Sequence, residues 1–263
     1  MPDPVDRQAR YDALDEDAPT LDEEGYRRRT RRSFLVAGGA LVGGWFGWKW
    51  VQNRPEDNNI PDLLRAGHEL NESLWRRLSR RSATAPEFSR DSSSMMRVNG
   101  RHGIREEIDL DAWRLQVTGP DGQDLGTHVL TDIQALPKHE MTVEHKCVEG
   151  WKHVVTWGGA RFRDFAASYA EVLGGLPPYV YLETPDGEYY VGLDRESMLN
   201  DQAYLAYELQ GEPLSQEHGA PLRLALPNKY GIKQIKRIGT IRFAEERPTD
   251  YWYERGYDWY SQL

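Results

Sequence analysis

From residue 95 to residue 243 the chain alternates short stretches rich in β-branched and aromatic residues with turns that contain glycine or proline. Residues 113–117 end at the string GPDG, and residues 154–157 end at a pair of glycines. Short runs bounded by turn residues are typical of β-strands and hairpins. Strands are therefore predicted at 113–117, 154–157, 179–182, 189–193, 204–209, 222–226 and 235–243.

Two stretches in the same region have apolar residues at helical spacing, residues 130–136 and residues 162–173. Thr131 and Gln134 have the spacing of a capping box in the first of these predicted helices. Many short strands with few helices predict an α+β domain that is mostly β. A chain of 263 residues is long enough to bury one substantial core.

Cys147 is the only cysteine of the chain, so it has no internal disulfide partner. It follows the alternating residues Met141, Val143 and His145 and precedes a break at Gly150, which predicts a strand that ends in a loop. A thiolate in such a loop can act as a nucleophile or as a soft metal ligand. A buried, inert cysteine is the alternative, since free cysteines are among the most buried residues.

The composition excludes some classes of protein. The formal net charge of -9 argues against general binding of nucleic acid. A single cysteine excludes a disulfide scaffold and an iron–sulfur cluster held only by cysteines of one chain. The nine tryptophans and 14 tyrosines suit strands and pockets that are lined by aromatic rings.

The first 51 residues have the order of charge and hydrophobicity of an export signal. Residues 1–33 are predicted to be a disordered acidic stretch followed by a basic n-region, and residues 34–51 an apolar h-region. The string TRRSFL at residues 30–35 resembles the twin-arginine signal, which exports folded proteins in bacteria. An uncleaved membrane anchor over 34–51 is the alternative to a cleaved signal, because tryptophans follow instead of a small-residue cleavage site. An arginine cluster beside a buried helix is a third interpretation.

The segments on either side of the predicted domain have patterns of their own. Residues 52–94 are predicted to be a linker and an amphipathic helix, with Pro61 near the first turn of that helix. We expect the helix to pack on the body of the protein, or to lie near anionic lipid if the anchor is retained. The aromatic tail at 246–263 is expected to wrap over the domain at 95–245.

Two strings of the chain carry a family resemblance. The string CVEGW at residues 147–151, with WGG at 157–159, resembles the molybdenum-binding segment of the sulfite oxidase superfamily. The strings HGAPLR at 218–223 and PNKYGIKQIK at 227–236 resemble its pterin-binding segment. The chain is most similar to a small bacterial exported branch, which includes the catalytic subunit of the periplasmic protein-methionine-sulfoxide reductase. This resemblance implies a sulfite oxidase-type molybdopterin-binding fold.

The resemblance also implies a cofactor and its ligands. Molybdenum would be held by molybdopterin, with Cys147 as the protein thiolate and the catalytic residue, and a soft thiolate suits such a metal. His102 and Gly103 stand where relatives have Tyr-Glu, and the other positions match the family pattern. The implied cofactor-binding residues are Asn99, His102, Gly103, Cys147, Thr184, His218, Arg223, Gln234, Ile235 and Lys236.

Each of these residues has a physical reason to bind the cofactor and a structural alternative. Arginine and lysine suit the phosphate of molybdopterin, but Arg223 and Lys236 taken alone would be ordinary surface charges. His102 and His218 would otherwise be structural histidines, and Thr184 would cap the turn before a proline.

The function that the resemblance implies is oxygen-atom transfer, preferably the reduction of a small S-oxide or of oxidised protein methionine. Sulfite oxidation is the second possibility, and it needs a cationic pocket. The arginines that are candidates for that pocket are Arg97, Arg101, Arg105, Arg161 and Arg163. No Cys-x-x-Cys-His haem site occurs in these 263 residues, so the expected electron partner is a separate haem-bearing membrane subunit or cytochrome.

Two functions of other classes remain open from the sequence. One is a metal-free exported binding protein on the same fold. The other is a cysteine hydrolase that uses Cys147 with His145 or His153, since Cys147 and His145 point the same way from one strand.

Overall fold

The computed structural model describes residues 22–57, 60–78 and 84–263. Its strands are β1 (Glu56–Asp57), β2 (Ile60–Pro61), β3 (Leu115–Thr118), β4 (Asp124–His128), β5 (Lys138–Lys146), β6 (Lys152–Arg161), β7 (Tyr179–Glu183), β8 (Tyr190–Asp194), β9 (Tyr204–Leu209), β10 (Glu212–Pro213), β11 (Arg223–Ala225) and β12 (Thr240–Ala244). Its α-helices are α1 (Glu23–Gln52), α2 (Asp62–Leu78), α3 (Leu130–Gln134), α4 (Phe162–Ala170) and α5 (Arg195–Met198). The chain divides into two compact units, Met1–Pro55 and Glu56–Leu263.

The first unit contains the long helix α1. Asp22 caps it by accepting a hydrogen bond from the backbone N–H of Gly25 at 2.8 Å, and two glutamates in the first turn suit the positive end of the helix dipole. The stretch predicted to be disordered is thus helical from Glu23, while residues 1–21 lie outside the described residues. In the described part of the chain no helix combines the length and apolar character needed to cross a bilayer.

In the second unit, helix α2 confirms the amphipathic helix predicted within residues 52–94. Its inward face carries charged rather than only apolar side chains, since Arg65 and Glu72 are both buried. Glu72 pairs with Arg76 at 2.9 Å on the same helix and with Arg247 at 3.0 Å from the C-terminal tail. Residues 56–94 and 246–263 therefore belong to the same compact unit as residues 95–245.

Two five-stranded sheets form the body and confirm the mostly β, α+β prediction. One has the order β4-β3-β12-β7-β8, in which β12 runs parallel to β3 and antiparallel to β7. The other has the order β10-β9-β6-β5, with β11 also paired to β9. A large core cluster includes residues of both sheets, such as Leu182 and Leu205, both fully buried.

Several predicted elements differ in detail from the structure. The glycines at 158–159 do not end a strand but lie inside β6, which pairs with β9. A Cβ atom at Gly159 would come within 2.3 Å of the Leu205 carbonyl oxygen on β9, so this close pairing requires glycine there. Of the strand predicted at 235–243, only β12 is extended, since residues 235–239 make irregular contacts to the 219–222 segment. Helix α5 and the strands β1, β2, β4 and β10 were not predicted.

The predicted helices are shorter than their apolar patterns. Helix α4 ends at Ala170, and the predicted end at residue 173 lies in the following turns. Helix α3 has no Thr131–Gln134 capping box. Instead the Asp132 carboxylate accepts a hydrogen bond from the backbone N–H of Val129 at 3.0 Å, because Val129 is the residue that precedes the helix.

The aromatic tail packs over the body as predicted. Trp259 is fully buried, and its indole N–H donates to the Pro248 carbonyl at 3.0 Å. The buried ammonium of Lys233 binds the buried carboxylate of Asp250 at 2.6 Å, which joins the tail to the segment before β12.

Candidate functional site

A cavity of about 300 Å³ lies in the second unit, where β5 ends. Its walls come from the loop at 96–102, the segment 145–151, the segment 223–236, Tyr189 and the C-terminal tail. Of the residues predicted for the cofactor site, six line it. These are Asn99, His102, Cys147, Arg223, Gln234 and Lys236.

The loop between β5 and β6 presents Cys147 to the cavity. The Cys147 N–H donates to the Trp151 carbonyl at 3.0 Å, and the Gly150 N–H donates to the Cys147 carbonyl at 3.1 Å. This tight turn leaves the thiol half-buried, with the Asn99 side-chain amide 3.8 Å from Sγ. Burial raises the pKa of the Cys147 thiol, and hydrogen bonds from the backbone of Glu149 act in the opposite direction. The cysteine thus faces a cavity and is not enclosed in the core.

Arg223 places a buried guanidinium beside the same cavity. It is 1% exposed, and its Nη atoms donate to the His218 carbonyl at 2.9 Å and the Gln234 carbonyl at 3.2 Å. Its Nε is buried without a hydrogen-bond partner among the residues the structure describes. Burial lowers the pKa of Arg223 to about 9, and no carboxylate in the described part of the chain forms an ion pair with it. A cation held in this way attracts an anion from the cavity.

Lys236 is a second cation at the cavity. Its ammonium donates to the carbonyl oxygens of Asn99 at 2.8 Å, Gly100 at 3.2 Å and Glu217 at 2.8 Å. Burial, with the charge of Arg223, lowers the pKa of Lys236 to about 7. An anion in the cavity would favour the charged form of both groups.

Two other lysines of the 227–236 string serve the fold. Lys229 is 1% exposed and donates to the Tyr260 carbonyl at 2.8 Å, and Lys233 binds Asp250. Burial lowers the pKa of Lys229 to about 7. Neither side chain lines the cavity. The three lysines of one string therefore have different roles, two in the core and one at the cavity.

Gln234 and Ile235 are both buried but point to different surroundings. The Gln234 amide donates to the Lys229 carbonyl at 3.0 Å, and its oxygen is 3.1 Å from Nδ1 of His145. The Ile235 side chain belongs to the core, and its carbonyl accepts a hydrogen bond from the Leu224 N–H at 2.9 Å. Ile235 is therefore a core residue and does not line the cavity.

The threonine and glycine of the predicted site pack on each other away from the cavity lining. The Thr184 hydroxyl donates to the Asp186 carboxylate at 2.6 Å and accepts from the Tyr189 N–H at 3.2 Å, which caps the turn before β8. Gly103 has a φ of +72°, and a Cβ atom there would lie 2.3 Å from Cγ2 of Thr184. This close approach explains why glycine occupies position 103.

The two predicted histidines lie in different surroundings. His102 lines the cavity within a group of aromatic rings, 5.0 Å from the ring centroid of Tyr251. His218 does not line it, and its Nδ1 is buried with no partner among the described residues. Burial lowers the pKa of His218, and the charges of Arg223 and Lys236 act in the same direction.

Only two of the five arginines considered for a cationic pocket line the cavity, Arg97 and Arg101. Arg97 lies over the ring of Trp151 at 5.8 Å. Arg105 pairs with Glu188 at 3.4 Å, and Arg163 pairs with Asp201. Arg161, at the end of β6, does not line the cavity either. The cavity therefore contains fewer arginines than the five that the sequence offered as candidates.

Sequence reasoning missed most of the aromatic lining. Trp151 was read only as part of a motif, and Tyr189, Trp252 and Tyr257 were not considered as site residues, although all four line the cavity. Glu149 was also missed; its carboxylate accepts from the Trp151 indole N–H at 3.0 Å and from the Asn99 amide at 3.3 Å. The density of aromatic residues in the tail was the one signal that pointed to part of this lining.

The donor set fits a molybdenum–molybdopterin group. A thiol at the cavity suits a soft metal, and the partnerless Nε of Arg223 with the ammonium of Lys236 suits a phosphate. His145 does not hydrogen-bond to Cys147 but to Gln234, and burial lowers the pKa of His145 to about 3. This arrangement disfavours a cysteine hydrolase, which needs a base on the thiol.

The geometry suits a phosphate-bearing metal cofactor, and the comparison with known sequences identifies the family. Residues 102–252, more than half of the chain, match the family described as Oxidoreductase molybdopterin binding domain. The chain belongs to this family. Its members use molybdenum held by molybdopterin, which favours the enzyme over the metal-free binding protein considered from the sequence.

Relatives share about 30% identity with this chain. It is 34% identical to an uncharacterized oxidoreductase of Bacillus subtilis over 57% of this chain and 74% of the other. It is 30% identical to the catalytic subunit of a protein-methionine-sulfoxide reductase of Xanthomonas campestris, covering 56% of this chain and 49% of the other. It is 31% identical to mitochondrial sulfite oxidase of Rattus norvegicus, covering 59% of this chain and 33% of the other.

The chain matches about half of the length of the reductase subunit and one third of the sulfite oxidase. Among solved structures, the sulfane dehydrogenase SoxCD of Paracoccus pantotrophus aligns with a TM-score of 0.48 and 21% identity, over 54% of this chain and 40% of the other.

Proposed function

We propose that the protein reduces S-oxides by oxygen-atom transfer. The reaction consumes R₂S=O, two electrons and two protons and yields R₂S and water. The observation that carries the proposal is the combination in one cavity of the Cys147 thiol, the cations Arg223 and Lys236, and a wall of aromatic rings. The first two features suit the cofactor, and the third suits a neutral sulfur compound, because sulfur makes favourable contacts with aromatic rings.

The residues of this chain have separate roles toward the cofactor. Cys147 would bind the molybdenum as a thiolate, and Arg223 and Lys236 would bind the phosphate of the pterin. Asn99, from the loop at 96–102, and Gln234, from the segment 223–236, present side-chain amides to the cavity that would hold the cofactor. When bound, the cofactor supplies two-electron redox chemistry and exchange of an oxygen atom.

Toward the substrate, the chain provides orientation and partial exclusion of water. Trp151 is held by its hydrogen bond to Glu149, and Trp252 and Tyr257 are contributed by the tail. Tyr257 is 40% exposed and marks the solvent side of the cavity. Solvent at this side can provide the two protons and take up the water that is formed.

Sulfite oxidation is the second candidate, and one observation favours it. Arg97 and Arg101 line the cavity, and a sulfite dianion needs cations that the cofactor phosphate does not already use. Against it, the Glu149 carboxylate also lines the cavity near Cys147 and repels an anion. The reductive direction is therefore the one we propose.

The two directions are separated by assays on the cofactor-loaded protein. With a reduced viologen dye as electron donor, we expect S-oxide-dependent oxidation of the dye. With an oxidant such as ferricyanide, we expect the kcat/KM for sulfite to be at least about tenfold lower than the kcat/KM for the S-oxide. A difference of roughly tenfold is what a single favourable contact in a substrate pocket contributes to kcat/KM. Turnover of sulfite alone would contradict the proposal.

We propose that electrons come from a separate haem-bearing membrane subunit or cytochrome. The chain has one cysteine, and the matched reductase relative is named as a catalytic subunit. Membranes that contain the native cytochromes should support S-oxide reduction without a dye. Equal activity with membranes that lack every cytochrome would count against this partner.

We propose that the twin-arginine string directs export of the folded, cofactor-loaded protein. The arginines at 31–32 lie in α1 just before the apolar residues, in the order that such signals have. Replacing both by lysine should leave the protein in the cytoplasm, as measured by cell fractionation with immunodetection. If the variant is found outside the cytoplasm in the same amount as the wild type, the twin-arginine string does not direct export.

A further inference from the structure

The C-terminal tail forms an aromatic wall of the cavity. Trp252 and Tyr257 line the cavity from the tail, and His102 lines it beside them. The Trp252 ring lies edge-on to Tyr257, with 5.1 Å between centroids, and edge-on to His102 at 6.2 Å. We refer to Trp252 and Tyr257 as the tail wall. It offers an apolar face to any substrate group that extends from the reacting atom.

The tail wall is held from the inside by a buried carboxylate. Asp250 is 1% exposed, and its Oδ1 accepts hydrogen bonds from the backbone N–H groups of Trp252 at 3.1 Å and Tyr253 at 3.0 Å. Its Oδ2 binds Lys233 at 2.6 Å. The start of the wall is therefore tied to the core.

Helix α2 holds the same segment from the outside. Arg65 Nη1 donates to the Tyr253 carbonyl at 2.5 Å, and its guanidinium lies 3.9 Å from the centroid of the Tyr253 ring. His68 Nε2 lies 3.1 Å from the Gly256 carbonyl, to which it donates a hydrogen bond. These two contacts meet the backbone between Trp252 and Tyr257. Helix α2 thus does not line the cavity itself but contacts the residues that join Trp252 to Tyr257.

We propose that the tail wall makes the enzyme selective for S-oxides that carry an aryl or other extended apolar substituent, and that Arg65 and His68 are positioning residues for this wall. The inference rests on the proposed S-oxide reduction. An aryl group packed against the cavity side of Trp252 and Tyr257 removes apolar surface from water, which a dimethyl compound cannot do to the same extent. A preference of about 10- to 100-fold in kcat/KM follows from contacts of this size.

The test compares methyl phenyl sulfoxide with dimethyl sulfoxide on the cofactor-loaded protein. We expect the wild type to prefer the aryl substrate at least about tenfold, and Trp252→Ala to bring the ratio of the two kcat/KM values close to one. His68→Ala should raise KM for the aryl substrate several-fold with little change in kcat. His68→Gln keeps an N–H donor and should restore KM. Glu69→Ala, on an exposed residue of the same helix, is the matched control and should leave the ratio unchanged.

A second readout does not depend on turnover. The Tyr257 N–H donates to the Trp252 carbonyl at 3.0 Å inside the segment that His68 holds. Hydrogen exchange of this amide should be faster in His68→Ala than in wild type and Glu69→Ala, because loss of an anchoring contact lets the segment open more often. Equal exchange in all three proteins would overturn the positioning role.

The outcomes separate this inference from the proposed function. If both S-oxides are reduced equally well by the wild type, the selectivity of the wall is wrong and the function stands. If neither is reduced, the proposed function is wrong. Calorimetric measurement of methyl phenyl sulfoxide binding then tests whether the tail wall binds an aryl group. Binding that is lost in Trp252→Ala supports the wall as an aryl subsite, and the same affinity in both proteins overturns it.

Discussion

Replacing Cys147 by alanine is expected to reduce S-oxide turnover at least about 100-fold, because even residues that only support metal ligands change activity 10- to 100-fold. The thiol sits at the cavity, fixed by the turn that its own backbone forms with Trp151. Alanine keeps this turn, since both hydrogen bonds of residue 147 use the backbone. The loss should therefore appear in kcat and in the spectrum of the metal, with little change in melting temperature.

Serine at position 147 is the matched comparison. A hydroxyl has nearly the size of the thiol but is a harder and far less acidic donor, so we expect Cys147→Ser to lose turnover as well. Cofactor content measured beside the rates separates loss of binding from loss of chemistry. Turnover of Cys147→Ala within about threefold of wild type would show that the thiolate is not a ligand.

Replacing Asp250 by alanine is expected to lower the free energy of unfolding by about 3–5 kcal/mol, the cost of leaving one member of a buried ion pair alone. Lys233 and Asp250 are 1% and 2% exposed in their side chains and lie 2.6 Å apart. Asp250 also accepts from the backbone N–H groups of Gly192, Trp252 and Tyr253. One substitution thus leaves the buried ammonium of Lys233 without its carboxylate, with only the neutral Gly192 carbonyl accepting from it at 2.9 Å, and it removes the acceptor of these backbone N–H groups.

An exposed ion pair provides the control for this prediction. Arg90 and Glu140 lie 3.0 Å apart with side chains 56% and 40% exposed, so Glu140→Ala should cost at most about 1 kcal/mol. Urea unfolding of the wild type and both variants measures the difference. Lys233→Met in the Asp250→Ala background removes the lone ammonium and should recover part of the loss. Equal urea midpoints for Asp250→Ala and Glu140→Ala would contradict the prediction that the buried Lys233–Asp250 pair stabilises the fold more than the exposed pair.

Local sequence signals predicted the hairpin of β7 and β8 and the strand β9, because turn residues and alternation mark them directly. They failed at Gly159, where a glycine pair looks like a turn. Only the neighbouring strand, whose Leu205 carbonyl takes the space of a side chain, explains why glycine continues a strand there. That neighbour is 46 residues away, so no local pattern reveals it.

The site was predicted unevenly for the same reason. The family strings placed Cys147, Arg223 and Lys236, which the structure brings to one cavity. They did not reveal that Lys233, in the same string, is buried against Asp250, because that contact to the tail is set by the tertiary fold. Trp252 and Tyr257 reach the cavity only through contacts with α2 and the core, which are set by the tertiary fold.

The most direct test of the account is the molybdenum and pterin content of the protein matured in its own host, by elemental analysis and pterin fluorescence. The account predicts about one molybdenum and one pterin per wild-type chain, and a clear decrease when the buried guanidinium of Arg223 is removed by Arg223→Met, since an outer contact of a metal site changes affinity by about 10- to 100-fold. Wild-type protein that matures and folds without molybdenum or pterin would contradict the account.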